Sequence, residues 1–417
     1  MVDVVANHMG SDATANTVDY SIMHPFNSSS YFHSVCFIND NNNQTQIEHC
    51  LSIAGLEYHS TGCARFAYLL DQVPGLNIFN KHQVDGLRVD TVRHVEKSFW
   101  PLFNNAAGVY CFMMAMWIIS AITRITWTVY FHMLREYFHA NVPMMSIHKQ
   151  VRYFQLVQFF TNSAATSKNL IGQFQAQSKK CRDTTLLGSF TENHDLPRFG
   201  NLTSDLALAK NIVTYTMLTD GIPIICSQIS VYQGQEQHFH GGTDPYDREP
   251  LWPTNYNTTS PLYVLVKQLN AIRSLAIARS NTYSTTQTKV VYADDHNIAF
   301  QKGDSKSMVL MVLNNLGEKA QNYTVKMGNV GFKEGLQVTD VLSCRNATVD
   351  DRGGLDVRFI GGLPSALAGA DSDITSKYQA SPIKVQVQYL SERENLPYPK
   401  VLHVRKDVDD HLLMKIH

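Results

Sequence analysis

The sequence predicts an α/β fold built on a parallel sheet, followed by a smaller antiparallel β domain. Short apolar runs at residues 2–6, 84–90, 186–191 and 221–225 are typical of strands buried on both faces, and three of them end in polar residues. An apolar periodicity over Leu206–Leu218 predicts a helix between the last two runs. Since polar residues follow the strands, we expect the chemistry at the carboxyl edge of the sheet.

The regions around this sheet have a different composition. Residues 9 to about 50 are rich in Asn, Ser and Asp and predict a long excursion. Runs at 289–292, 307–313 and 323–327, separated by turn residues, predict the antiparallel β domain. Residues 367–417 predict a divergent polar tail.

Composition excludes several classes of partner. The 417 residues carry a formal net charge of −1, and only 17% are charged, so neither a nucleic acid nor an anionic membrane is an expected partner. A neutral, polar partner such as a sugar fits this balance. The seven cysteines are an odd number, so at least one thiol lacks a partner within the chain. Acceptor sequons for N-glycosylation, which favour a secreted protein, begin at Asn27, Asn43, Asn201, Asn257, Asn322 and Asn346.

Two segments bear on targeting. The chain opens on the strand-like run 2–6 rather than on a signal peptide, so we expect the natural beginning to be missing. Residues 112–133 form the most apolar stretch, with Arg124 as its one formal charge. Its length would allow a membrane span. Its Thr, Ser and Arg content and its lack of flanking charge argue against one.

The clearest chemical signal is the run Gly86-Leu-Arg-Val-Asp90. On a strand, residues two apart share a face, so Arg88 and Asp90 point one way while Leu87 and Val89 point the other. The arginine favours the ionised form of Asp90, as a glycosidase nucleophile requires. A structural ion pair at a strand end is the alternative.

Two further runs place polar groups where strands end. In Phe190-Thr-Glu-Asn-His-Asp195, either Asp195 or Glu192 could stabilise positive charge on a sugar ring, and His194 could bind its hydroxyls. A helix N-cap is the alternative for this run. Asn7 and His8 emerge at the end of the first run, where such a pair is more usually a turn.

Taken in order, DVVANH, GLRVDTVRH and FTENHD resemble three short regions of the α-amylase family. The flanking segments HPFNSSSYFHSVCFIND, FWPLFNNAAGVYC, DGIPII, GQEQH and GGTDPYDRE are similar to its fungal, Taka-amylase type. The resemblance implies a (β/α)8 TIM barrel over residues 1–280 with its first strands missing, a calcium-binding B excursion at 9–82 and a C-terminal β-sandwich at 281–366. It also implies a secreted monomer that cleaves internal α-1,4-glucosidic bonds of starch and maltooligosaccharides with retention.

The resemblance also implies residue roles. Asp90 would be the nucleophile, oriented by Arg88, and Asp195 the carboxylate that stabilises the transition state. Other matching positions would bind substrate, namely His8, Arg93, His94, His194, Asp244 and Arg248. The implied Ca²⁺ ligands are Asn7, Glu48 and the carbonyl of His94, and Cys36 and Cys50 would form a disulfide.

The chain departs from the family in one decisive position. Where the general-acid glutamate is expected, after Gly108-Val-Tyr-Cys111, stands Met114, which cannot protonate a leaving oxygen.

Residues 51–82, 112–152 and 226–233 lose the similarity to the family abruptly, which suggests errors in the gene model. The alternatives to an active amylase are therefore a non-catalytic glucan-binding relative and the non-functional product of a broken gene. Among active relatives, a glucanotransferase would share the nucleophile.

Overall fold

The computed structural model describes residues 2–5, 9–10, 18–23, 27–34, 36–40, 43–52, 60–61, 86–90, 95, 99, 103, 110–113, 145–147, 150–180, 183–186, 188–223, 232–372, 374–376, 402–406 and 412–416. The chain forms two compact units, residues 1–148 and 149–417. Each unit is described by itself below.

The first unit contains a parallel sheet and several short elements. Its described strands are β1 (Val2–Val5), β2 (Met9–Gly10), β3 (Phe37–Ile38), β4 (Leu51–Ser52), β5 (Ser60–Thr61), β6 (Gly86–Asp90), β7 (Tyr110–Met113) and β8 (Met145–Ile147), and α1 (Gln44–His49) is a helix.

Four of these strands, β1, β6, β7 and β8, lie side by side in chain order, and every pair is parallel. Parallel neighbours in chain order are typical of a βα barrel. Leu87 and Val89 of β6 are fully buried. The expected alternation along this strand therefore holds for its apolar side chains.

The excursion between β2 and β6 has local order of its own. Asn43 caps α1, because its side-chain oxygen accepts a hydrogen bond from the backbone N–H of Gln46. Strands β3 and β4 pair in parallel, and a disulfide joins Cys36 to Cys50. The expected disulfide is thus confirmed.

The second unit combines helices with the predicted β domain. Its described helices are α2 (Gln150–Thr161), α3 (Ser167–Lys180), α4 (Phe199–Leu202), α5 (Leu206–Leu218) and α6 (Pro261–Arg279). Its described strands are β9 (Gly188–Ser189), β10 (Ile222–Pro223), β11 (Lys289–Ala293), β12 (Asn297–Lys302), β13 (Val309–Asn314), β14 (Tyr323–Met327), β15 (Gln337–Asp340), β16 (Arg345–Thr348), β17 (Leu355–Phe359), β18 (Ser365–Gly369), β19 (Leu402–Lys406) and β20 (Leu412–Ile416).

Helix α5 has the bounds that the sequence predicts. It is buried almost throughout, and the buried residues include the polar Asn211, Thr214 and Thr216. Its side chains share one core with α2, α3, α6 and one face of the β domain, for example Ile212 with Phe160, Leu269 and Phe300.

The β domain is a six-stranded sheet with the order β11-β12-β13-β18-β15-β16, accompanied by the separate pair β14-β17. Alternate residues of β13 enter two cores. Val309, Met311 and Leu313 face the helices, whereas Leu310 and Val312 pack in the core that includes β14 and β17. This two-layer arrangement buries every residue of β13.

Strand β18 includes residues on both sides of the predicted domain boundary at residue 366. It pairs with both β13 and β15 and so belongs to the β domain. The β domain therefore extends at least to Gly369. The predicted polar tail contributes the antiparallel pair β19-β20.

Candidate active site

In the first unit, the strand ends that carry predicted site residues meet at one edge of the sheet. In the backbone register, Val5 lies opposite Asp90, and Val89 lies opposite Met113. The carboxyl ends of β1, β6 and β7 are thus neighbours. Asp90 occupies the last position of its strand, at the edge where barrel enzymes hold their catalytic groups.

The predicted residues of this unit differ in how far the structure describes them. For Arg88 and Asp90 the structure describes the backbone alone, and the remaining positions lie outside the described residues, namely Asn7, His8, Arg93, His94 and Met114. Of the apolar stretch 112–133, only Phe112 and Met113 are described, both in β7. Within the described residues, no helix is long and apolar enough to cross a bilayer.

In the second unit, the segment after β9 is fixed by hydrogen bonds from other elements. β9 pairs in parallel with β10, and the Ser189 hydroxyl donates to the carbonyl of Asp220 at 2.7 Å. The Gln235 side-chain amide donates to the Thr191 hydroxyl at 2.8 Å. Buried partners on both sides therefore set the path of residues 189–193.

Asp195 lies at the exposed end of this segment between two cationic or ionisable groups. Its backbone N–H donates to the side-chain oxygen of Asn193 at 3.0 Å, which turns the chain outward. One carboxylate oxygen lies 3.3 Å from Nε2 of His194 and 3.5 Å from a guanidinium nitrogen of Arg248. The side chain keeps 19% of its surface exposed, so a ligand can reach it.

The loop 240–249 supplies the remaining predicted residues of this unit. Nε of Arg248 binds a carboxylate oxygen of Asp244 at 2.7 Å. Both side chains are about half exposed, at 47% and 45%. The structure thus brings together two predicted pairs of site residues, His194 with Asp195 and Asp244 with Arg248. The members of one pair are 49 to 54 positions away from those of the other in the sequence.

The alternative carboxylate, Glu192, has a different role. It is 2% exposed. One of its oxygens accepts from Arg198 at 3.2 Å and the other from the backbone N–H of Phe199 at 3.0 Å. Glu192 therefore stabilises the start of α4, and Asp195 is the carboxylate of this run that can face a substrate.

Burial shifts several acids near this site in one direction. It raises the pKa of Glu192 to about 7, despite the opposing attraction of Arg198. Burial also raises the pKa of Glu236 and raises that of Asp247 to about 6. The site thus combines an exposed ion-paired surface with neighbouring acids whose pKa values are raised by burial.

Of the expected calcium ligands, Glu48 alone is described. Its carboxylate accepts from the side-chain amide of Gln44 at 2.7 Å within α1. Carboxylate, amide and carbonyl oxygens form a donor set suited to a hard cation. The described residues contain no group of three or more His, Cys, Asp or Glu that could hold a metal ion.

Arg198 is a buried residue next to the site that the sequence analysis did not single out. It is fully buried, and it connects the segment of Asp195 with the loop of Arg248 through Glu192 and Glu249. The one local signal is an arginine within the apolar run Leu196-Pro-Arg-Phe199, three residues after Asp195. Its second partner lies far away in sequence and cannot be read from that run.

Comparisons with known families cover most of the chain. The family described as "Alpha amylase, catalytic domain" matches residues 1–297, and the one described as "Alpha-amylase, domain C" matches residues 290–377.

Individual relatives agree with these matches. Alpha-amylase 1 of Schwanniomyces occidentalis is 35% identical over 389 residues, which is 88% of this chain and 68% of that protein. An alpha-amylase of Saccharomycopsis fibuligera is 33% identical over 90% of this chain and 72% of its own length. A solved alpha-amylase structure from Malbranchea cinnamomea superposes with a TM-score of 0.76 at 35% identity, covering 89% of this chain and 74% of that one. The expected fold class, a TIM-barrel catalytic domain followed by an antiparallel β domain, is confirmed.

Proposed function

The chain belongs to the α-amylase family of glycoside hydrolases, and we propose that it hydrolyses internal α-1,4-glucosidic bonds of starch and maltooligosaccharides. The observation that carries this proposal is the partly exposed Asp195 carboxylate, held between His194 and Arg248 just beyond the end of a parallel strand. A fixed carboxylate in that position is suited to stabilising an oxocarbenium-like transition state.

In the proposed mechanism, Asp90 attacks the anomeric carbon while the glycosidic C–O bond breaks. A covalent glycosyl-enzyme intermediate results, and water then hydrolyses it with net retention. Arg88 would keep Asp90 ionised from the same face of the strand. Asp195 would stabilise the positive charge that develops on the ring in both steps.

The other residues would hold the substrate. His8 and His194 would bind the hydroxyls of the glucose being cleaved, and Arg93 and His94 would lie towards the leaving side. Asp244 and Arg248 would bind units further along the non-reducing side. Their half-exposed ion pair offers both a hydrogen-bond acceptor and several donors to sugar hydroxyls.

The leaving oxygen needs a proton, which water would supply, because Met114 stands where the family's general acid is expected and cannot donate one. Glu192 has a suitable pKa of about 7, but its burial against Arg198 keeps it from a substrate. The thioether at this position is the specific observation that favours the second candidate function, glucan binding without turnover.

We also infer a calcium ion, held by Asn7, Glu48 and the carbonyl of His94, that would stabilise the excursion by joining it to the strand ends. Secretion and a monomeric state follow from the resemblance. The disulfide Cys36–Cys50 and the N-glycosylation sequons are compatible with secretion.

The experiment that tests the function compares starch and blocked-maltooligosaccharide hydrolysis by this chain and by Asp90→Asn. We expect the substitution to lower kcat by about a thousandfold or more, because no covalent intermediate can form. Asp351→Asn, which changes an exposed aspartate of the β domain, serves as the matched control and should retain full activity.

Two other outcomes would change the conclusion. Saturable maltooligosaccharide binding without turnover would replace hydrolysis by the glucan-binding function. Turnover that survives Asp90→Asn would mean that Asp90 is not the nucleophile.

A further inference from the structure

A buried arginine lies directly beneath the candidate site. Arg198 has no exposed surface, and its guanidinium carbon lies 3.9 Å from the centroid of the Tyr232 ring and 5.5 Å from that of Phe239. A cation placed between aromatic rings and shielded from water is costly unless it is paired with opposite charge.

Its two acidic partners come from different parts of the site. One guanidinium nitrogen, Nη1, donates to Glu192 at 3.2 Å, in the segment that leads to Asp195. Nε lies 3.3 Å from Glu249, which closes the loop 240–249. In addition, the backbone N–H of Arg198 donates to the carbonyl of Gly241 at 3.0 Å. Arg198 therefore contacts both ends of that loop.

Glu249 also binds the backbone at the start of the loop. Its two oxygens accept from the N–H groups of His240 and Gly241 at 3.2 and 3.0 Å. The loop is tightly folded at this point: a Cβ added to Gly241 would overlap the carbonyl oxygen of Tyr246. The carboxylate of Glu249 thus fixes the start of the loop on the buried guanidinium.

The part of the loop that Arg198 and Glu249 fix carries the exposed Arg248. Arg248, one residue before Glu249, reaches Asp195 at 3.5 Å and Asp244 at 2.7 Å. These contacts depend on where the loop lies relative to residues 192–195, and Arg198 is the buried group that joins the two.

We propose that Arg198 is a positioning residue that keeps Arg248 and Asp244 in their observed positions next to Asp195. It thereby sets the affinity for the glucan units that this loop binds. Arg198 itself does not contact substrate. The proposal rests on the proposed function insofar as Arg248 and Asp244 bind glucan.

The test is a double-mutant cycle on maltoheptaose affinity, measured by calorimetry on the full chain carrying Asp90→Asn, which serves as the parent so that the ligand is not hydrolysed during the titration. Arg198→Met should weaken binding about tenfold in the parent, and less than about twofold when Arg248→Ala is already present. The matched control is Arg273→Met. Arg273 is also buried, but it donates to the carbonyls of Met217, Thr219 and Gly221. The substitution Arg273→Met should lower thermal stability without changing the affinity for maltoheptaose.

A second measurement needs no ligand. Hydrogen exchange of the His240 and Gly241 amides should be faster in Arg198→Met than in the parent and in Arg273→Met. If Arg198→Met does not fold, Glu249→Gln should give the same pattern of binding and exchange, since this carboxylate is 30% exposed and its replacement is milder.

The outcomes separate the two proposals. If the parent does not bind maltoheptaose but the exchange pattern holds, the glucan function is wrong and the positioning role of Arg198 stands. Equal losses of affinity in both backgrounds, or unchanged exchange of the two amides, would overturn the positioning role.

Discussion

At the scale of single residues, the site depends on two carboxylates three positions apart that occupy opposite environments. Glu192 is buried against Arg198, whereas Asp195 reaches the surface beside His194 and Arg248. Burial outweighs the attraction of Arg198 and raises the pKa of Glu192 to about 7. The same chemical group therefore stabilises the fold at one position and is available to substrate at the other.

The raised pKa of Glu192 predicts how stability changes with pH. Between about pH 4.5, where the unfolded residue ionises, and about pH 7, the folded residue keeps its proton. The folded state then binds more protons than the unfolded state, so the free energy of unfolding falls as the pH rises through this window. Glu192→Gln should remove this decrease, which amounts to roughly 3 kcal/mol.

Urea unfolding at pH 4.5, 6 and 7.5 measures the difference between the parent and Glu192→Gln. The exposed Glu334→Gln is the control and should follow the parent at each pH. A difference between the parent and Glu192→Gln that does not vary with pH would show that Glu192 has an ordinary pKa in the folded state.

At the scale of elements, α5 joins the catalytic part of the second unit to the β domain. Asp205 caps it, since one carboxylate oxygen accepts from the N–H of Leu208 at 2.9 Å. The other oxygen accepts from the N–H of Glu318 at 2.8 Å, in the turn after β13. The same side chain thus starts a helix and fixes a loop of the neighbouring sheet.

Asp205→Ala should lower the free energy of unfolding by about 1–2 kcal/mol, because both backbone N–H groups lose their acceptor. Asp205→Asn is the matched variant. It keeps the cap on Leu208 but turns an amide towards Glu318, so we expect a smaller loss, read as the shift in urea midpoint. Equal losses in the two variants would mean that the cap bond contributes nothing.

At the scale of the whole molecule, a buried ion pair joins the segment that precedes β10 to the β domain. Nζ of Lys302 lies 2.9 Å from Asp220, and both side chains are almost fully buried. Asp220 also accepts from the hydroxyls of Thr184 and Thr288 at 2.6 and 2.7 Å. Because burial disfavours each charge alone, the pair is stable only while both parts of the unit stay together.

Lys302→Met should therefore lower the free energy of unfolding by about 3–5 kcal/mol, since Asp220 is left buried without its counter-charge. Adding Asp220→Asn should restore a substantial part of that loss. Thermal unfolding of the two variants and the parent provides the comparison.

The control is Lys326→Met, which breaks the exposed pair with Asp350 at 2.9 Å and should change stability little. If the two lysine substitutions had equal effects, burial would not be the source of the cost at Lys302.

Much of this organisation follows from the sequence alone. The apolar runs of β1, β6 and the β domain, the bounds of α5, and the order of the three motifs depend on local periodicity and on residues close together in the chain. The disulfide between Cys36 and Cys50 followed from resemblance. The predicted site residues of the second unit, His194, Asp195, Asp244 and Arg248, do lie together.

Only the tertiary structure showed that Glu192 is buried whereas Asp195 is partly exposed, extended the β domain through β18, and placed Arg198 against both Glu192 and Glu249. Each of these depends on contacts between residues distant in the chain. Arg198, which binds Glu192, contacts the distant residues Glu249 and Tyr232, and β18 pairs with β13 and β15. Local sequence determines which residues can form a strand or carry a charge, whereas the environment that sets their pKa and exposure comes from the rest of the fold.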